Sequence, residues 1–154
     1  MKKFKFRLET LLNYRENEQR KALKDLEEVA FFIENLSEEI NNIELEQESI
    51  EEEFKEASKK INPEGLQDFL SYLNYLRGKL SKKQEDRMRF QNILVQKQKV
   101  VLKARKKTKV LENLKNKQFT QWEEIKEKQE RAFLDELSLT RYAKNQMDYK
   151  RKLL

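Results

Sequence analysis

Carboxylates and amines are the only side chains abundant enough in this sequence to suggest chemistry. Glu44, Glu46, Glu48, Glu51, Glu52, Glu53 and Glu56 crowd one short segment. Paired acids can work as general acid and base or hold a metal, but only where a pocket perturbs them. Acids sharing one exposed helix face get no such environment and read as solvent-facing charge. Histidine and cysteine are both absent. That removes the commonest general base, the commonest metal ligand and all thiolate chemistry. A Ser-His-Asp or Cys-His group cannot be assembled, and two glycines leave no phosphate-cradling loop. The expectation is a protein without catalytic activity, metal or cofactor.

The second concentration of charge is basic. Lys97, Lys99, Lys103, Arg105, Lys106, Lys107, Lys109, Lys115 and Lys117 stand against Glu112 alone. Such a block suits an acidic protein surface, phosphates, or simply solvation. No recognition helix, zinc pattern or aromatic sheet accompanies it, so nucleic acid is the remoter partner.

The elements that carry these charges are long helices. Charged residues make up 40% of the chain and hydrophobic residues 37%, with a single proline. Such a composition implies few turns and no thick core. One row of a 3.5-residue repeat runs Leu8, Arg15, Ala22, Val29, Leu36, Ile43, Ile50, Ala57. The other runs Leu12, Gln19, Leu26, Ile33, Ile40, Gln47, Phe54, Ile61. That period over nearly eight heptads means a left-handed coiled coil. The unbroken repeat also argues against disorder, which high charge would otherwise suggest.

The pattern places a first helix at about 5–61 and a turn at 62–65, where Asn62 suits an N-cap and Pro63 the first helical position. Leu66, Phe69, Leu73 and Leu76 then predict a short helix at about 66–77. Gly78 ends it, or the long helix runs through Gly78. A last helix is expected at about 80–152. Its seam reads Leu80, Arg87, Leu94, Val101 and Phe90, Lys97, Ala104, Leu111. It then shifts phase through Leu114, Gln118, Trp122, Ile125, Gln129 and Ala132, as a stutter would.

The short connection cannot span a helix, so the arms fold back on each other. The fold expected is all-α: one domain, a long two-helix antiparallel coiled-coil hairpin, with a parallel dimer as the alternative. Charge agrees with the hairpin. Residues 1–61 hold 11 basic and 16 acidic side chains, and residues 62–154 hold 23 and 12. The acidic segment would meet Arg77, Lys79, Lys82, Lys83, Arg87 and Arg89. Large apolar residues beside the seam, namely Phe31, Phe32, Tyr72 and Tyr75, are candidates for a partner surface or for widening the core. No apolar run approaches the ~20 residues of a membrane span, and the basic start lacks the apolar segment of a secretory signal. The absence of cysteine fits the cytosol.

Phe4-Lys5-Phe6-Arg7-Leu8-Glu9-Thr10-Leu11-Leu12-Asn13-Tyr14-Arg15 resembles the opening of the FliJ family, coiled-coil components of the bacterial flagellar type III export apparatus. That family begins with alternating aromatics, Leu-Glu, a Leu-Leu pair and an arginine. Lys109-Val110-Leu111-Glu112-Asn113-Leu114-Lys115 is similar to its Leu-Glu-x-Leu-Lys segment, and Phe133-Leu134-Asp135-Glu136 to its Asp-Glu pair near the end. The resemblance implies an antiparallel coiled coil, like the rotary ATPase gamma subunit, that inserts into the ring of the FliI-like export ATPase and stimulates it. It also implies contact with the FlhA-like export gate and with substrate chaperones, at the cytoplasmic face of the inner membrane. The ring-facing residues it points to are Phe4, Phe6, Leu8, Leu11, Leu12 and Arg15. In the later part of the chain they are Lys109, Leu111, Glu112, Leu114, Asp135 and Glu136, and the charge of the basic block adds Lys103, Arg105, Lys106 and Lys107 as candidates to meet acidic ring loops. A generic partner-binding coiled coil or chaperone is the alternative reading.

Overall fold

The computed structural model describes residues 2–60 and 62–153, and two helices carry nearly all of them. Helix α1 is Glu9–Ala57 and helix α2 is Pro63–Leu153. They form an antiparallel hairpin. Two compact units divide it: a turn unit of Glu16–Arg105, and a terminal unit of Met1–Arg15 with Lys106–Leu154.

In the turn unit the antiparallel direction is visible from the ring contacts. Phe32 meets Phe90, with ring centroids 4.6 Å apart, and Phe54 meets Phe69 at 6.2 Å. The residue number on α2 falls as that on α1 rises. Leu36, Ile40 and Ile43 of α1 and Leu73, Leu76 and Val101 of α2 are buried. All lie on rows of 3.5-residue spacing, the geometry that keeps an apolar stripe facing its partner. Gln47 sits in the same row and is half-buried.

The two helix ends at the connection are built from polar groups. Ser58 N–H donates to the Phe54 carbonyl at 2.8 Å, and Lys60 N–H to Ala57 at 3.0 Å. Ser58 Oγ donates to the Lys55 carbonyl at 2.9 Å. These bonds satisfy carbonyls that the last helical turn would leave unpartnered. Leu66 N–H donates to the Asn62 carbonyl at 3.2 Å, which makes Asn62 the residue before α2 and Pro63 its first helical residue. The helix-start chemistry read from Asn62-Pro63 is therefore present. The turn itself lies earlier than 62–65, with α1 ending at Ala57 and residues 58–60 in turns. The seam position Ile61 lies outside the described residues.

Of the two readings at Gly78, the continuous helix is the one present: α2 runs through Gly78, with no separate helix at 66–77. Glycine costs a helix about 1 kcal/mol relative to alanine, which flanking turns with Leu76 buried and Leu80 half-buried absorb. The start of α1 is Glu9, not residue 5, because residues 2–6 have no regular secondary structure and 7–8 form a turn. The stutter is also absent. Val101, Thr108 and Leu111 are buried, and Ala104, Lys115, Gln118 and Trp122 half-buried, so the 3.5-residue period runs on unshifted. Polar side chains at Thr108 and Lys115 conceal it in the sequence. Ile125, Gln129 and Ala132 are exposed.

Candidate partner-binding surface

In the terminal unit the non-helical segment Phe4–Leu8 lies along α2 as a strap. Its burial alternates: Phe4, Phe6 and Leu8 are buried or half-buried, while Lys5 and Arg7 are exposed. Phe6, Leu12 and Leu111 form a buried cluster, and Phe4, Leu8 and Leu114 pack against it. The Phe4 ring meets Phe119 edge-on at 5.2 Å and Trp122 at 6.0 Å. Phe119 and Trp122 stack at 5.8 Å. Lys126 Nζ sits 5.2 Å from the Trp122 ring centroid, a cation–π contact. Just past the strap, Glu9 at the start of α1 pairs with Lys115 of α2, 2.9 Å apart.

This arrangement sorts the candidate residues. Phe6, Leu12 and Leu111 are buried and cannot face a partner, because their surface is spent on the strap-to-helix core. Phe4, Leu8, Arg15, Glu112 and Leu114 are half-buried. Leu11, Lys106, Lys107, Lys109, Asp135 and Glu136 are exposed. The strap and the first turn of α1 are brought together with Leu111 to Trp122, while Asp135 and Glu136 are not brought to either. They lie on a part of α2, residues 127–153, that is exposed at every position. Phe119 was not singled out by the sequence, although its spacing of three to Trp122 on a helix signals adjacency.

In the turn unit Lys103 and Arg105 are exposed. Phe31 is exposed as well, whereas its neighbour Phe32 spends part of its ring on Phe90. Tyr72 and Tyr75 stack at 6.1 Å. The Tyr72 hydroxyl donates to a Glu46 carboxylate oxygen. That bond, with smaller contributions from desolvation and the Glu46 charge, holds the phenol above its ordinary pKa. Lys83 Nζ lies 2.7 Å from Glu39 Oε2, and the hydrogen bond and charge of Glu39 hold that amine above its ordinary value too. Of the basic residues expected to meet the acidic segment, Lys83 reaches α1 but at Glu39. Arg89 pairs locally with Asp86.

Among the described residues, no three His, Cys, Asp or Glu side chains converge to hold a metal. What the chain offers is surface: an aromatic, strap-closed segment, exposed lysines and an uncovered helix. A family model described as FliJ, flagellar FliJ protein, matches residues 4–147. The chain belongs to the FliJ family. The match begins at the strap and takes in α1 and α2 as far as residue 147, so it covers the Phe4 to Arg15 opening and the Phe133 to Glu136 segment together. No curated protein and no solved structure gives a match. As a FliJ-family chain it is a non-enzymatic coiled-coil component of the flagellar protein-export apparatus, which works with the ATPase and gate components of that apparatus in general. No helix among its described residues is long and apolar enough to cross a membrane.

Proposed function

We propose that this FliJ-family chain is the stalk-like partner of the flagellar export ATPase. Its terminal unit enters the ATPase ring, promotes ring assembly and raises hydrolysis. The same chain couples the ring to the export gate and helps recycle substrate chaperones, from a peripheral position at the cytoplasmic face of the inner membrane. The observation that carries the reading is the family match over residues 4–147.

The roles divide by exposure. Leu11, Lys106, Lys107, Lys109, Asp135 and Glu136 meet the ring, with Lys103 and Arg105 adding positive charge from the preceding turns of α2. Phe4, Leu8, Arg15, Glu112 and Leu114 contribute their exposed edges. Phe6, Leu12 and Leu111 act from beneath by fixing the strap. Phe31, Phe32, Tyr72 and Tyr75 are the surface for the gate or for chaperones. Exposed positive charge supports this reading, because a stalk in a ring needs a stiff, complementary surface.

The test is to titrate the chain against the matching export ATPase while recording ATP hydrolysis and ring formation. The expected result is a rise in both that saturates. Hydrolysis and assembly unchanged at saturating chain would overturn the proposal.

A further inference from the structure

The last turns of α2 carry a pattern that neither the hairpin seam nor the ring-facing residues use. From Leu139 onward, Leu139, Tyr142, Gln146, Tyr149 and Leu153 recur at alternating spacings of three and four, so they line one face of the helix. Each of the four apolar members is about two-thirds exposed, at 68%, 64%, 65% and 69% in chain order. Gln146 Nε2 donates to the Tyr142 hydroxyl at 2.9 Å, which ties the one amide of the stripe to its neighbour. Residues 139–153 hold five basic side chains, Arg141, Lys144, Lys150, Arg151 and Lys152, against Asp148 alone. Immediately before them, residues 127–138 hold four acidic and two basic side chains. The sign of the helix's charge therefore reverses where the stripe begins. At 3.6 residues per turn, Arg141, Lys150 and Lys152 border the stripe, while Lys144 and Arg151 lie across the helix from it.

We infer that residues 139–153 of α2 form an amphipathic docking helix for an anionic phospholipid bilayer surface. A basic helix with an apolar face lies in the plane of such a surface, its apolar side chains at the acyl boundary and its amines at the headgroups. Tyrosine suits that depth, having an apolar ring and a polar tip, and lysine and arginine stems reach past the boundary to the phosphates. A partner helix in a coiled coil fits less well. Flanking positions there carry charges of both signs, and here they are almost all positive. The segment is already helical as part of α2, so docking needs no folding step. The inference deepens the peripheral location proposed above and rests on that reading only for its setting, since the stripe and its charge stand on the chain's own surface.

The test uses the full chain with vesicles of phosphatidylcholine alone and of phosphatidylcholine mixed with phosphatidylglycerol, scored by co-sedimentation. Binding is expected to the mixed vesicles only, and to weaken with added salt. Changing Arg141, Lys150 and Lys152 to Gln should lower the partition coefficient on the order of 100-fold. The triple change Leu139→Ser, Tyr149→Ser and Leu153→Ser keeps every charge and should also abolish sedimentation. Undiminished binding by that variant would reduce the contact to general attraction of a basic protein and overturn the inference. So would equal binding to the neutral vesicles, or none to the anionic ones. ATPase stimulation measured on the same preparations reports on the ring proposal separately: stimulation without vesicle binding sinks only the lipid contact and points to a protein occupant.

Discussion

Lys115 of α2 donates to Glu9 at the start of α1, with Nζ 3.1 Å from Oε1 and 2.9 Å from Oε2. The pair joins residues more than a hundred positions apart, at the point where the strap becomes helix. Both side chains are partly exposed, so the pair contributes no more than about 1 kcal/mol and less in salt. Changing Glu9 to Gln should therefore lower stability by up to about 1 kcal/mol in dilute buffer. Urea unfolding at low and high salt checks this. A loss that persists unchanged at high salt would assign the effect to something other than the ion pair.

Leu76 is 1% exposed, the most buried large side chain among the described residues. Leu76→Ala should destabilise by about 2–5 kcal/mol, from lost transfer energy and the cavity left behind. Phe31, at 65% exposure, should tolerate alanine within about 0.5 kcal/mol. Chemical denaturation of both variants measures the contrast, and equal losses would contradict the placement of the seam.

Gly78 is exposed in the interior of α2, and a Cβ added there would meet nothing within 4 Å. Gly78→Ala should raise stability by about 1 kcal/mol through helix propensity and a less disordered unfolded chain. A thermal melt reads it as a higher midpoint. A lower midpoint would mean that the glycine is needed for a bend or a close approach.

Tyr72 and Lys83 both have raised pKa values, through hydrogen bonds to Glu46 and Glu39 respectively. For a group whose folded pKa exceeds its unfolded one, the stabilisation is complete below the unfolded value. It is lost as pH rises through the folded value. The melting midpoint should hold steady below about pH 10 and fall above it. In the double variant Tyr72→Phe, Lys83→Met that alkaline fall should be shallower, and an identical fall would assign it to other groups.

Reversing Lys106, Lys107 and Lys109 to Glu should weaken stimulation of the export ATPase several-fold while leaving helix content unchanged, because all three are exposed on α2. Hydrolysis assays paired with circular dichroism test this. Full stimulation by the variant would remove these lysines from the ring contact.

Much of the fold was legible because its main signal is repetition. All fifteen described positions of the α1 seam, Leu8 to Ala57, are buried or half-buried, including Arg15, Gln19 and Gln47. The period, more than the chemistry of any single residue, determines burial there. The same period misled in α2, where Thr108 and Lys115 fill seam positions and the apolar Leu114 beside them suggests a phase shift. At the start of the chain the signal was of a different kind. The alternation of Phe4, Lys5, Phe6, Arg7 and Leu8 has a period of two, which no helix produces, and reading it as the beginning of a helix missed the strap. Gly78 left two readings open, because helix propensity is a weak prior that neighbouring packing overrides.

The site was legible only in part, because exposure depends on what covers a residue. Phe6, Leu12 and Leu111 carry the family likeness, yet they lie under the surface that the likeness points to. The seam rows separate Leu12 and Leu111 from Leu11, which faces solvent, but no helical row includes Phe6. Its burial comes from the strap laid across α2, a contact between residues far apart in the chain.

Residues 127–153 of α2 are exposed at every position, and their amides are held by intrahelical bonds alone. A lone helix frays from its end, since each turn lost exposes the next and no neighbour holds it. Deuterium uptake should therefore spread inward from the C-terminal side and slow abruptly on reaching the aromatic contacts of Trp122, and a protease that cuts after lysine or arginine should shorten the chain in the same order.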